Sequence, residues 1–229
     1  MTITAKRLMA WKEIPIVILP ASGFLVFLLV SAIIPNAISA TDPYAIAPRH
    51  AFLSPDWNHP FGTDQSGRDI LTRVIHGTRQ SLLVGAGAVA ISFSGGIILG
   101  LAGGLGPRWL QKSIGAIIDV LFSFPALILA LLFSASLGTG AGPLALAIGI
   151  AATPGYGKMV FSQVLSVRYS GYVEAARALG HTPFSIVQRH ILPNALRPLI
   201  VTTTMGVGKT IVWASGLSFL GLGAPPPTP

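Results

Sequence analysis

One short segment of the chain has the residue types of a phosphate-binding loop. Residues 206–210 read GVGKT, so Lys209 could meet a nucleotide phosphate. The full loop pattern also needs a glycine at position 203, where this chain has Thr203, and magnesium chemistry needs an acid further along. No Asp or Glu follows Glu174. We therefore expect no nucleotide site here and interpret Lys209 as a charge within an apolar span.

Other combinations of reactive residues are also incomplete. The five histidines are His50, His59, His76, His181 and His190, and none has the spacing of a metal site. No serine lies in a GxSxG context. The absence of cysteine excludes thiolate metal sites and cysteine nucleophiles. We expect no catalytic residue, no metal and no cofactor, and therefore no enzyme.

The most informative spacing lies in a polar, basic stretch between two apolar runs. Residues 173–194, here called the elbow, predict two short helices that meet at a bend. Gly180 suits a helix C-terminus, Thr182 can cap the next helix, and Pro183 fits its first position. A unit of about twenty residues cannot bury a core of its own, so it needs a surface to dock against.

The second helix of the elbow is expected to be amphipathic. Phe184, Val187 and Ile191 fall at helical spacing on one side. Pro193 is expected to stop this helix because it cannot donate the next backbone hydrogen bond.

A DNA-reading helix-turn-helix is an alternative interpretation of the elbow. Ala175, Ala176, Gly180 and either Ile186 or Val187 fall at similar spacing. That motif sits in a bundle of at least three soluble helices, and the flanking apolar runs leave little room for one. A plain structural loop is the other alternative.

The composition indicates that most of the chain is surrounded by lipid. Of its 229 residues, 52% are hydrophobic and only 10% are charged, against about 25% in soluble domains. We expect an all-α polytopic membrane protein with about five spans. A first span at residues 14–34 is long enough to cross a bilayer. A cleaved signal peptide is its alternative, with NAISA at residues 36–40 as the cleavage site. The other expected spans are residues 82–106, 114–137, 143–159 and 198–223.

The distribution of charge sets the expected orientation. Arginine and lysine concentrate in cytoplasmic loops, and both the amino terminus and residues 161–197 are basic. Residues 107–113 are expected to form a short cytoplasmic loop. The arginines of residues 35–81 oppose this orientation, because that segment would then lie outside the membrane, where the charge rule expects few of them. Two polar residues fall within spans. Asp119 could face a partner or a water-filled path, or could equally lie at the membrane interface, and Lys209 could pair with a neighbouring subunit. Gly96, Gly100 and Gly104 predict a face where another helix approaches closely.

The elbow resembles the EAA signature of the membrane-spanning subunits of bacterial ABC importers. The matching residues are Glu174, Ala175, Ala176, Gly180 and the HILP of residues 190–193. HPFGTDQSGRD at residues 59–69 and LSFLGLGAPPP at residues 217–227 resemble the dipeptide, oligopeptide and nickel permease branch specifically. The resemblance implies a permease subunit in the bacterial inner membrane, with a cytoplasmic amino terminus and the translocation pathway for peptides or related solutes.

The resemblance also implies partners and residue roles. The partners are a second permease subunit, two cytoplasmic ATPase subunits that hydrolyse the ATP, and an external solute-binding protein, with no nucleic acid. The EAA loop, at about residues 161–197, would couple to the ATPase. Its contact residues would be Glu174, Ala175, Ala176, Arg177, Gly180, Phe184, Val187, His190 and Pro193. The implied organisation is an anchor at residues 1–35, an external loop at 36–81 and a permease core at 82–229.

Two further hypotheses follow from the same residues. Members of the family usually have six spans, whereas five are expected here, so one alternative is a truncated permease that inserts but does not transport. A membrane-tethered DNA-binding protein that uses the elbow is the other.

Overall fold

The computed structural model describes residues 18–223, and these are mostly helical. In chain order the helices are α1 (Ile18–Ile33), α2 (Pro35–Ile38), α3 (Ile70–Leu105), α4 (Arg108–Ser123), α5 (Ala126–Leu137), α6 (Ala141–Arg168), α7 (Gly171–Ala178), α8 (Pro183–Ile186) and α9 (Leu192–Phe219). A 3-10 turn covers Pro48–His50, and a π-helical turn covers Val187–Ile191. Within the described part no β-strand forms, although an isolated bridge pairs Thr63 with Asp69. The predicted all-α class is confirmed.

The chain divides into two compact units. The first ends at Gln80 and the second begins at Ser81. The first contains α1, α2 and a long loop that is held in place by hydrogen bonds to its own carboxylates. Asp64 accepts hydrogen bonds from the backbone N–H groups of Ser66 and Arg68 and from Nε of Arg68. Asp69 caps α3 by accepting from the N–H of Thr72 at 2.7 Å.

Helices α3 and α6 are each long and apolar enough to cross a membrane. The pair α4 and α5 passes the same test only together, and the two meet at 91°. Pro125 lies at this break, where it cannot continue the backbone ladder of α4. Within residues 18–223 this gives two or three spans by length and composition. The five expected spans also included α1, which has only 16 described residues, and α9, which contains Arg197, Lys209 and a run of threonines.

Several helix boundaries differ from the expected ones. Helix α3 begins at Ile70, within the expected loop, because Asp69 caps a polar first turn that hydropathy does not detect. The expected loop at residues 107–113 is wrong: α4 begins at Arg108, and Pro107 precedes it at the N-cap position. The expected span at residues 143–159 is part of α6, which continues to Arg168. The basic amino terminus and the final APPPTP stretch lie outside the described residues.

The predicted glycine face on α3 is confirmed. The three positions are Gly96, Gly100 and Gly104. A Cβ atom at Gly96 would lie 2.4 Å from Cβ of Tyr156, and one at Gly104 would lie 2.5 Å from Cγ1 of Val164. These are distances that no side chain tolerates without movement. Helix α3 therefore packs against α6 through a strip that has no side chains of its own.

Candidate functional site

The bend of the elbow is made by a glycine-terminated helix. Helix α7 ends at Ala178, and Gly180 has a φ of +79°, which favours glycine over residues with a Cβ. The N–H of Gly180 donates to the carbonyl of Arg177, and the N–H of His181 donates to that of Ala176. This pair of bonds is a Schellman motif, and it turns the chain sharply. The predicted role of Gly180 as a helix terminator is confirmed.

The second half of the elbow begins as predicted. Oγ1 of Thr182 accepts a hydrogen bond from the N–H of Ser185 at 3.3 Å, and Pro183 occupies the first turn of α8. The proline ring fixes a helical φ at a position where no donor is needed. Local sequence signals therefore determine both sides of the bend.

The expected stop at Pro193 is wrong. Helix α8 runs through the π-helical turn into α9, and Pro193 lies in the first turn of α9. Within the turn, the N–H of Leu192 donates to the carbonyl of Val187, five residues back. Because Pro193 has no N–H, it cannot donate the α-helical hydrogen bond to the carbonyl four residues back. The wider π-helical turn just before it allows the helix to continue beyond this position. The second half of the elbow, from Pro183, and α9 are consequently one continuous helical segment.

The elbow is fixed to the long helices by a shared apolar core. Val173 and Ala176 of α7, and Ile186 and Ile191 beyond the bend, are buried in one cluster. The other buried members are Tyr156, Val160, Val164 and Val167 of α6, and Ala195 and Leu199 of α9. Of the expected apolar face, Ile191 is buried and Val187 packs against this cluster, whereas Phe184 is exposed and Ile186 is buried in its place. The elbow, α6 and α9 thus share one core.

The outer surface of the elbow carries large apolar side chains among charges. Phe184 is 76% exposed and Leu179 is 79% exposed. Glu174 is exposed, and Nη2 of Arg177 donates to the carbonyl of Arg168 at 3.1 Å. Exposed apolar groups of this size next to charges are typical of a surface that another protein covers.

The remaining residues of the predicted contact set divide between this surface and the core. Ala175 and Pro193 are exposed, Ala176 is buried, and Val187 packs half-buried against the core cluster. His190 is half-buried, with its ring 6.1 Å from that of Tyr172 and 6.3 Å from that of His181. Sequence reasoning missed Leu179. The available signal was a large apolar residue immediately before a helix-terminating glycine.

A cavity of about 670 Å³ lies between α4, α5, α6 and α9. The bend between α4 and α5 forms one wall, with Phe122 and Phe124. Small residues of α6, including Ala152 and Gly155, leave the space open, and Trp213 of α9 lines another side. The lining is predominantly apolar, and its size falls in the range of about 300–1,000 Å³ that is usual for small-molecule sites.

The GVGKT segment lies in the middle of α9 and forms no loop. A phosphate cradle needs backbone N–H groups free of helical bonds, so this segment cannot form one. Lys209 lines the cavity instead, and its Nζ lies 4.7 Å from the centre of the Trp213 ring. A cation at this distance is attracted by the indole face.

Asp119, the other polar residue expected within a span, forms an ion pair. Its carboxylate binds Nζ of Lys158, which joins α4 to α6. Both side chains are partly exposed, at 59% for Asp119 and 42% for Lys158. The pair lies one helical turn from Phe122 and Gly155 of the cavity lining. Within residues 18–223, no group of three or more His, Asp and Glu side chains could hold a metal ion.

Residues 96–229 match the family model of the binding-protein-dependent transport system inner membrane component. Among curated proteins, the chain is 40% identical over 204 residues to a dipeptide transport system permease of Alkalihalophilus pseudofirmus, covering 89% of this chain and 66% of that protein. It is 38% identical over 175 residues to a glutathione transport system permease of Pectobacterium atrosepticum, covering 76% and 58% respectively. The chain thus spans about two thirds or less of the length of these relatives.

Among solved structures, a chain of the MetNI methionine ABC transporter in an inward-facing conformation has a similar fold. The TM-score is 0.51 at 22% identity, and the match covers 62% of this chain and 74% of that one. The family match covers more than half of this chain, and α3 and α6 are long and apolar enough to cross a membrane. The chain belongs to the family of binding-protein-dependent transport system inner membrane components and is a membrane-embedded protein.

Proposed function

We propose that the chain is the membrane-spanning permease subunit of an ABC importer for peptides or related small solutes. The observation that carries the proposal is the elbow, which exposes Leu179 and Phe184 on one side and is fixed to α6 and α9 on the other. The names of two relatives, a dipeptide permease and a glutathione permease, support the class of solute.

The proposed assembly contains a second permease subunit, two ATPase subunits and an external solute-binding protein. ATP hydrolysis takes place on the ATPase subunits, because this chain has no Asp or Glu after Glu174 and its GVGKT segment is helical. The elbow and the amino terminus lie on the cytoplasmic side. The basic character of residues 161–197 supports this orientation.

The elbow is the proposed contact with the ATPase. Phe184 and Leu179 enter an apolar cleft on that subunit, while Glu174 and Arg177 lie at the rim of the contact. Closure of the two ATPase subunits draws the elbows together. Since Ile186 and Ile191 share one core with α6 and α9, this motion moves the helices that line the cavity.

The test compares Phe184→Ala with Phe24→Ala, an exposed phenylalanine of α1. The two side chains are 76% and 61% exposed, so neither truncation leaves a cavity in the fold. In the assembled complex, Phe184→Ala is expected to lower solute-stimulated ATP hydrolysis and copurification of the ATPase at least tenfold, because a central aromatic anchor contributes about 2 kcal/mol or more. Phe24→Ala is expected to preserve both. Equal behaviour of the two variants would exclude the elbow as the contact.

Orientation has an independent test, which the absence of native cysteine makes simple. A single cysteine at Gln188, an exposed elbow position, is treated with a membrane-impermeant maleimide. We expect labelling in inverted vesicles and none in intact cells. Labelling from outside intact cells would place the elbow on the wrong side for an ATPase. A complex that binds the ATPase but takes up no peptide would favour the transport-incompetent alternative.

A further inference from the structure

Lys209 is a cation on the wall of a predominantly apolar cavity, and among residues 18–223 it has no anionic partner. Beyond Asp69 the chain has only two acids, Asp119 and Glu174. Asp119 is engaged by Lys158, and Glu174 lies on the elbow. Within residues 18–223, the ammonium of Lys209 therefore pairs with no carboxylate of its own chain, and it lies over the face of Trp213.

The other polar groups of the cavity already use their hydrogen-bond donors. Oγ1 of Thr202 donates to the carbonyl of Pro198 at 3.1 Å, and Oγ1 of Thr210 donates to that of Gly85 at 3.1 Å. The hydroxyl of Tyr156 points at the carbonyl of Thr202, 3.5 Å away. Lys209 is the charged member of the described lining, and its three donors remain for a ligand.

Small-molecule sites usually combine apolar walls with a few placed polar or charged groups, and Lys209 is an exposed cation on the wall of this cavity. The neighbouring ion pair of Asp119 and Lys158 is neutral as a unit, so it leaves the positive charge of Lys209 uncompensated. The cavity thus combines room for a small solute, apolar and aromatic walls, and one oriented cation. This arrangement suits an anion with an apolar body.

We propose that the cavity binds the free carboxylate of a short peptide, with Lys209 as the residue that recognises it. The proposal rests on the proposed function and specifies the solute group that the permease itself selects. The carboxylate forms a charge-assisted hydrogen bond with Nζ, and the apolar side chains of the peptide contact Phe122, Phe124 and Trp213. A peptide whose carboxyl terminus is amidated lacks the charge and binds more weakly.

Binding can be measured without ATP hydrolysis or transport, because Trp213 lies beside Lys209. The other three tryptophans, Trp11, Trp57 and Trp109, are replaced by phenylalanine, and the full chain is reconstituted in lipid nanodiscs with its partner permease, likewise freed of tryptophan. Trp213 emission is titrated with dialanine and with dialanine amide. A carboxylate that draws Nζ from the indole face should change the emission. We expect saturation by dialanine at a concentration at least tenfold lower than by the amide.

Variants of Lys209 make the test specific. Lys209→Met should abolish the preference for dialanine over its amide, and Lys209→Arg should retain it. The matched control is the double variant Asp119→Asn with Lys158→Met, which removes a neutral ion pair one helical turn from the lining residues Phe122 and Gly155 and should leave the preference unchanged. Equal responses to both ligands in the unmodified protein, or a preference that persists in Lys209→Met, would overturn the proposal.

The outcomes also separate this proposal from the proposed function. Loss of coupling in Phe184→Ala concerns the elbow alone and leaves the Trp213 titration unaffected. If Lys209 instead pairs with an acid of the partner permease, Lys209→Met will reduce copurification of that subunit while the unmodified protein shows no carboxylate preference. That result would overturn carboxylate recognition and leave the transport assignment standing.

Discussion

Gly100 and Val160 are packed so closely that a Cβ atom on the glycine would lie 2.4 Å from Cβ of the valine. We predict that Gly100→Ala lowers the free energy of unfolding by about 1–3 kcal/mol, because α3 and α6 must separate to admit the methyl group. The measurement is thermal unfolding of the purified protein in detergent. Gly208→Ala is the matched control, since nothing lies within 4 Å of its Cβ position. Because alanine favours the helix over glycine, Gly208→Ala should not lose stability, and a loss as large as that of Gly100→Ala would contradict the packing argument.

The hydrogen bond between Thr182 and Ser185 predicts a local effect in the elbow. Thr182→Ala removes the cap of α8 and is expected to cost about 1 kcal/mol, because one N–H of the first turn loses its acceptor. Hydrogen exchange of peptides covering residues 182–192 should accelerate, while peptides from α6 should not change. Thr182→Ser keeps the hydroxyl and should exchange as the unmodified protein does. Slow exchange in Thr182→Ala would mean that the core cluster alone holds the turn.

Asp64 predicts a dependence on pH in the loop that precedes α3. Burial alone would raise the pKa of its carboxyl, but hydrogen bonds from the N–H groups of Arg68 and Ser66 and the Arg68 guanidinium outweigh this effect, so the pKa is lowered. Stability from a lowered pKa is fully present above the unfolded value of about 3.9 and is lost as pH falls through the folded value. We expect cleavage of the loop by pepsin to accelerate as pH decreases from about 5 to about 2.

The control for this experiment is Asp64→Asn at each pH, which also corrects for the pH dependence of pepsin itself. Asparagine cannot ionise, so the variant should be cleaved quickly throughout, and the difference from the unmodified protein should disappear at low pH. A constant ratio of the two cleavage rates would show that Asp64 does not titrate in the folded loop. The pKa of Asp69 is also lowered: burial would raise it, but hydrogen bonds with Thr72 and the neighbouring His59 outweigh this effect. Asp69 is present in both proteins, so its titration affects both cleavage rates.

The ion pair of Asp119 and Lys158 predicts a compensating pair of substitutions. Asp119→Asn alone leaves Lys158 without its partner in an apolar span, and Lys158→Met alone does the same to Asp119. Each single variant should lose roughly 1–3 kcal/mol of stability, with partial exposure favouring the lower end. The double variant should be more stable than either single one. Thermal unfolding of the four proteins gives the coupling energy, and strict additivity would show that the pair contributes nothing.

The sequence alone predicted the parts of the elbow that depend on local chemistry. Gly180, Thr182 and Pro183 each act through their own backbone or through residues within one turn, so their types were sufficient. The glycine strip on α3 was also predictable, because glycines at four-residue spacing in a membrane helix typically mark a face where another helix packs closely.

Features that depend on distant contacts could not be predicted. Pro193 signals a helix end, and the continuation through a π-helical turn depends on how Ile186 and Ile191 pack against α6. Hydropathy identifies where a chain is apolar and does not identify where its helix begins, so the starts of α3 and α4 were misplaced. The cavity is bounded by four helices, and Lys209 could be placed in it only once those helices were packed.

Tyr156 is a member of the buried cluster beneath the elbow and also lines the cavity. A Cβ atom on Gly206 would lie 2.3 Å from its hydroxyl, so the ring has little freedom to withdraw toward α9. The ring that faces the cavity is therefore part of the same cluster that buries Val173 and Ile191. One phenol side chain thus contributes both to the wall of the cavity and to the core that holds the elbow.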